Sequence, residues 1–159
     1  WERWDSYTKE HGFGGGNEAP MNSFSHYCFG AISEWMFRYL AGIDSDGPGY
    51  SRIVIRPMPP TTTTKTNQTS INWVRAHYDS IRGRIAVSWK KEGNRFELDV
   101  TIPANTTATV RVPTSDSTSI TESGKALKNA DGAKLIRQEA DAALLEIGSG
   151  TYHFVAGNQ

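Results

Sequence analysis

The chain has 159 residues, enough for one domain or for a small domain with a piece of another, and too few for a large multidomain machine. Its 17 Lys and Arg balance 17 Asp and Glu, so no net field draws it toward nucleic acid phosphate or anionic lipid. No apolar run approaches the about 18 residues of a membrane helix, and the single cysteine, Cys28, excludes an internal disulfide while leaving cytoplasm, periplasm and cell surface equally open.

Ten of the 17 aromatic residues lie in the first 42 positions, and the periodicity changes from helical to alternating near residues 42 to 50, so two parts of different construction meet there. His11-Gly12-Phe13-Gly14-Gly15-Gly16-Asn17 reads as a loop. It lacks the preceding strand and the Lys-Ser/Thr of a phosphate-binding loop. A helix then starts at Asn22 or Ser23, either of which caps free backbone N–H groups, and ends at Gly42, which tolerates positive φ. Phe24, Tyr27, Cys28, Ala31, Ile32, Trp35, Tyr39 and Leu40 recur at three- and four-residue steps, and Met36 and Phe37 widen that stripe. So aromatic a helix calls for neighbours on more than one side. Cys28, on the stripe, reads as a small buried hydrophobe rather than a nucleophile.

From Ile43 onward the signals are those of an all-β domain. Strands are expected at Arg52–Arg56, Ile71–Tyr78, Gly83–Lys90, Arg95–Ile102, Thr107–Val112, Leu135–Glu139, Ala143–Ile147 and Thr151–Val155. Ile85, Val87 and Trp89 alternate with Arg84, Ala86, Ser88 and Lys90, and Phe96, Leu98, Val100 and Ile102 alternate with polar residues, so each strand has one buried face. Gly93-Asn94 between them predicts a tight antiparallel hairpin. Thr61–Thr69, after a proline-rich stretch, is too polar to repay ordering and reads as a surface loop. Trp73, Tyr78, Trp89 and Phe96 are expected in the core, and the strands after Thr114 at an edge or closing the sheets. The expected fold class is mainly β: an antiparallel sandwich of two packed sheets preceded by a loop and one long helix.

Trp1-Glu2-Arg3-Trp4-Asp5, then Asn22-Ser23-Phe24-Ser25-His26-Tyr27 and Phe29-Gly30-Ala31-Ile32, then Tyr39-Leu40-Ala41-Gly42-Ile43, Pro48-Gly49-Tyr50 and Ile53-Val54-Ile55-Arg56-Pro57 stand in an informative order. With Tyr78-Asp79-Ser80 and Val100-Thr101-Ile102-Pro103-Ala104-Asn105-Thr106, that order resembles the bacterial α-L-rhamnosidases, a family of inverting glycoside hydrolases, over residues 1–113. The resemblance implies that residues 1–43 end a helical (α/α) catalytic barrel and that residues 44–159 form the C-terminal β-sandwich. It assigns Glu2 as the general base that activates water and His26 as a sugar contact. Trp4 carries a flat ring suited to the apolar side of a pyranose and is assigned to the substrate as well.

An inverting enzyme needs a second carboxylic acid to protonate the leaving oxygen, and in the family that acid lies upstream of Trp-Glu-x-Trp. The chain is therefore expected to be the C-terminal fragment of such an enzyme and inactive alone. Its expected partners are the upstream part of the same protein, a rhamnose-containing glycan, and a second copy through the aromatic helix. No nucleic acid, cofactor or metal is expected, since His11, His77 and His153 lack zinc-site spacing. The rival reading is a carbohydrate-binding or structural β-sandwich with residues 1–42 as a docking tail.

Overall fold

The alternating β-branched and apolar residues beyond the helix form two sheets packed face to face. The computed structural model describes residues 7–10, 12–13, 27–60 and 71–157. The polar tract Thr61–Thr69 and the helix start at Asn22 or Ser23 lie outside them. The chain divides into two compact units, Trp1–Glu34 and Trp35–Gln159.

In the first unit, β1 (Tyr7–Thr8) and β2 (Gly12–Phe13) pair antiparallel, with Tyr7 opposite Phe13, so part of the expected loop is extended. A 3₁₀ turn over Tyr27–Gly30 leads into helix α1 (Ala31–Trp35). Cys28 is exposed in that turn, not buried on a helical stripe as expected. The tighter 3₁₀ winding places residues every 120° rather than every 100°, so the stripe does not run on through residue 28.

The second unit begins with Trp35 and a π-helical turn, Met36–Ala41. What the residue pattern presents as one α-helix is thus, where described, three successive windings. Gly42 does close it in the left-handed region, at φ 82°, with its N–H donating to the Phe37 carbonyl. Two of the end carbonyls find backbone partners beyond the helix: Tyr39 accepts from the Met58 N–H at 3.0 Å, and Gly42 from the Arg56 N–H at 2.7 Å.

Then come β3 (Ile43–Ser45), β4 (Arg52–Ile55), β5 (Trp73–Ser80), β6 (Gly83–Glu92), β7 (Arg95–Ile102), β8 (Thr107–Pro113), β9 (Thr121–Glu122), β10 (Lys125–Ala126), β11 (Ala133–Gln138), β12 (Ala142–Ile147) and β13 (Gly150–Ala156). One sheet has the order β10-β9-β13-β7-β6-β5, and the other β11-β12-β8-β4-β3. Among the described residues every pairing is antiparallel except β4 with β8, which run parallel with Arg52 opposite Thr107 and Ile55 opposite Val110. The Gly93-Asn94 hairpin forms as the residues predict: Glu92 pairs with Arg95, and Gly93 takes φ 57°. The turn Pro103–Thr106 carries the chain from one sheet to the other, with Asn105 at φ 56° and the Thr106 hydroxyl donating to the Pro103 carbonyl at 2.7 Å.

Ile53, Ile55, Val110, Val112, Leu145 and Ile147 from one sheet meet Ile85, Val87, Trp89, Leu98, Val100 and Phe154 from the other, each at most 1% exposed. Burial of one such side chain contributes about 1.5–3 kcal/mol, so this seam dominates the stability of the unit. Trp89 and Phe96 are buried there as expected, but Trp73 is 64% exposed and Tyr78 41% exposed. Alternation explains Trp73: Val74 and Ala76 face inward opposite Trp89 and Val87, which turns Trp73 to the outer face opposite Lys90. Tyr78 does share the inward face, but it sits on an edge strand toward the end of the sheet. Its ring packs on Tyr50 at 4.9 Å and edge-on to Phe37 at 6.5 Å.

The segment after Thr114 contributes more than edges. Strand β13 lies between β9 and β7, and β12 between β11 and β8; only β11 and β10 are outermost. Among the described residues, no helix is long and apolar enough to cross a membrane.

Candidate functional site

The residues to which the resemblance assigns chemistry, Glu2, Trp4 and His26, lie outside the described residues. Among the described residues, no three His, Cys, Asp or Glu side chains are grouped so as to hold a metal ion. The chemistry that can be built atom by atom therefore lies on the second unit.

The outer face of the six-stranded sheet is set by the same alternation that fills the core. With Val74 and Ala76 turned inward, β5 presents Trp73, Arg75, His77 and Asp79; β6 presents Arg84, Ala86, Ser88 and Lys90; β7 presents Glu97, Asp99 and Thr101. Register aligns one row across four strands, with Arg75 opposite Ser88, Ser88 opposite Asp99, and Asp99 opposite His153 of β13. A second row runs His77, Ala86, Thr101 and Thr151. Because β6 supplies only Ala86 and Ser88 between longer side chains on its neighbours, a trough of about 480 Å³ opens along it.

Most charges around the trough are already matched. Arg84 Nε lies 2.8 Å from Asp79 Oδ1, and that hydrogen bond holds the Asp79 carboxyl below the usual carboxylate range. The ring Nδ1 of His153 stands 2.7 Å from Asp99 Oδ1. Outside the trough, Arg95 lies 2.7 Å from Glu97 and lowers its carboxyl in the same way. Arg75 differs, having no hydrogen-bond or ion-pair partner among the described residues. The outward set on β6 is legible in the alternation of the sequence, whereas Trp73 is misplaced by residue type, since a tryptophan in a strand reads as core.

A separate ionic group sits on the other sheet. Arg111 of β8 lies 3.3 Å from Glu139 and 2.6 Å from Asp141, while Arg137 reaches Glu139 at 2.8 Å. These pairs tie the β11–β12 turn to the strand beside it.

Residues 42–127 match the family model of the bacterial α-L-rhamnosidase C-terminal domain, and residues 1–40 that of the bacterial α-L-rhamnosidase 6 hairpin glycosidase domain. An α-L-rhamnosidase of Formosa agariphila is 36% identical over 98% of this chain, which covers 16% of that protein. One from Streptomyces avermitilis is 34% identical over 97% of this chain and 13% of its own length. Among solved structures, a Streptomyces avermitilis α-L-rhamnosidase complexed with L-rhamnose superposes with a TM-score of 0.73 at 31% identity, over 99% of this chain and 13% of that one. The chain thus spans 13–16% of the length of these two curated relatives. With both of its parts matched in order, it belongs to the bacterial α-L-rhamnosidase family.

Proposed function

We propose that the chain works as part of an α-L-rhamnosidase that removes terminal α-L-rhamnose from glycosides or polysaccharides with inversion. The observation that carries this reading is the match of residues 1–40 to a glycosidase domain model, the stretch that holds Glu2, Trp4 and His26. In this reading Glu2 takes a proton from the attacking water, and His26 and Trp4 hold the sugar. Inversion requires a second carboxyl group about 6.5–9.5 Å away across the scissile bond. That acid belongs to the larger share of the relatives' length which this chain does not span, so the 159 residues alone do not hydrolyse the bond.

The same reading divides the chain into residues 1–43, the end of the catalytic barrel, and 44–159, the sandwich that buttresses it. It gives the helical turn a partner too. Trp35, Met36, Phe37 and Tyr39 are 47%, 49%, 39% and 39% exposed, a concentration of apolar surface that suits docking against the rest of the barrel. When that part is missing, the same surface drives self-association, which sedimentation of the isolated chain reads directly.

The test is hydrolysis of an aryl α-L-rhamnoside by the 159-residue chain and by a longer polypeptide carrying this sequence, each beside its Glu2→Gln variant. The longer protein is active and loses at least about a thousandfold in kcat on substitution, with folding intact, whereas the short chain is inactive. Activity of the short chain, or normal turnover by Glu2→Gln, overturns the assignment.

A further inference from the structure

The trough on the outer face of the six-stranded sheet is lined wholly by residues of the second unit. We infer that it is a second saccharide site, which takes a short glycan segment bearing a ring carboxylate, a uronic acid residue, against Arg75 and Trp73.

Four features converge. Its volume of about 480 Å³ falls within the about 300–1,000 Å³ of small-molecule sites. Its floor is polar and low, with the Ser88 and Thr101 hydroxyls available to sugar hydroxyls along two aligned rows. Arg75, at one end of the first row, is a guanidinium whose planar fork matches a carboxylate in two parallel hydrogen bonds. The neighbouring basic side chains are differently placed: Arg84 is held by Asp79, and His153 is engaged with Asp99. An incoming carboxylate therefore meets one uncommitted guanidinium and disturbs no existing pair.

Trp73 supplies the fourth feature. It stands two residues before Arg75 on the same strand face, and its indole is 64% exposed while Trp89, on the opposite face of the same sheet, is 1% exposed. A flat exposed indole stacks on the C–H face of a pyranose and keeps the hydroxyls free to hydrogen-bond. The spacing of alternate residues on a strand, about 6.6–6.8 Å, sets the backbone positions of Trp73 and Arg75 roughly one sugar unit apart on one face. A nucleic acid fits poorly, because the chain as a whole carries no net charge and this face mixes signs. The membership of a glycosidase family points to a saccharide instead.

Titration calorimetry of the 159-residue chain with tetragalacturonate, and with its fully methyl-esterified form, tests the assignment. The acid is expected to bind, and the ester at least about tenfold more weakly. Arg75→Gln weakens binding of the acid about tenfold or more and erases the difference between the two probes, while Trp73→Ala weakens both. Both positions are exposed or outward-facing, so an unchanged thermal midpoint in each variant certifies the fold. Absence of binding by the unsubstituted chain, or variants that bind the acid as it does, overturns the inference. Hydrolysis is not read in this experiment, so its failure leaves Glu2 untouched and failure of the rhamnoside assay leaves this site standing.

Discussion

Trp89 donates its indole N–H to the carbonyl oxygen of Leu40 at 2.8 Å, so a side chain buried in the middle of β6 closes one of the open carbonyls at the end of the helical turn. The carbonyls of Tyr39 and Gly42 are met by backbone N–H groups after β4. Trp89 alone links that turn to the six-stranded sheet through a side-chain hydrogen bond among the described residues. Replacing it with Phe keeps most of the packing but leaves Leu40 without its donor, at a cost of about 1–3 kcal/mol, whereas Ala also opens a cavity and costs about 3–5 kcal/mol. Urea unfolding of the two variants separates the terms; an unchanged stability in the Phe variant would show that the hydrogen bond contributes nothing.

Gly42 is held at φ 82°, with the backbone of Arg56 and Pro57 against the position a Cβ would take. Gly42→Ala therefore combines left-handed strain with a clash against main chain, and a loss of about 1–3 kcal/mol or more is expected. Gly93→Ala, also at positive φ but facing open space, loses less. A thermal midpoint for Gly42→Ala as high as for Gly93→Ala would remove the clash from the account.

Trp73→Ala changes stability by no more than about 0.5 kcal/mol, because little of the ring is withdrawn from water. The contrast with Trp89→Ala is a direct check on which face of the sheet each tryptophan occupies. Loss of several kcal/mol at Trp73 would mean that its ring is buried in solution.

Stability falls on the acid side. Hydrogen bonds from Arg137 first and then Arg111 hold the Glu139 carboxyl low, and Arg111 does the same for Asp141. Both folded values lie below the unfolded ones, near pH 4, so the unfolded chain binds more protons in that interval and stability rises with pH through it. The contribution is complete above the unfolded values and disappears as pH falls through the folded ones. Thermal midpoints should hold steady from pH 7 to pH 5 in this respect and drop below about pH 4. Arg111→Met should make that drop shallower; an identical acid limb would assign it to other carboxylates.

The strands from β6 to β8 were legible because each carries strict alternation and is bounded by turn residues, as with Ile85, Val87 and Trp89 between Gly83 and Gly93. The two-residue strands β9 and β10 carry no period at all, and Ile43–Ser45 is too short to separate from the helix end before it. Partnering was harder than existence. Nothing local in Arg52–Ile55 says that its neighbour is Thr107–Val110 or that the two run parallel. Trp73 was misplaced because apolar character favours the core by type, while the register that turns it outward is decided by Val74 and Ala76 fitting opposite Trp89 and Val87. At the candidate trough, the outward residues of β6 followed from alternation, but the row that joins Arg75 to His153 needs four strands in register before it exists.

The parallel pairing of β4 with β8 sets an order of events when the protein is made. Residues 52–55 leave the ribosome well before residues 107–110, so β4, paired on one side with β3, waits without its neighbour on the other while β5, β6 and β7 close their own short hairpins. Contacts between segments so far apart in sequence form slowly. The junction between the helical turn and the sandwich is thus completed late in synthesis. Until then the exposed Trp35 and Met36 have no finished sandwich behind them, which makes the newborn chain most vulnerable to aggregation at the place where the two parts join.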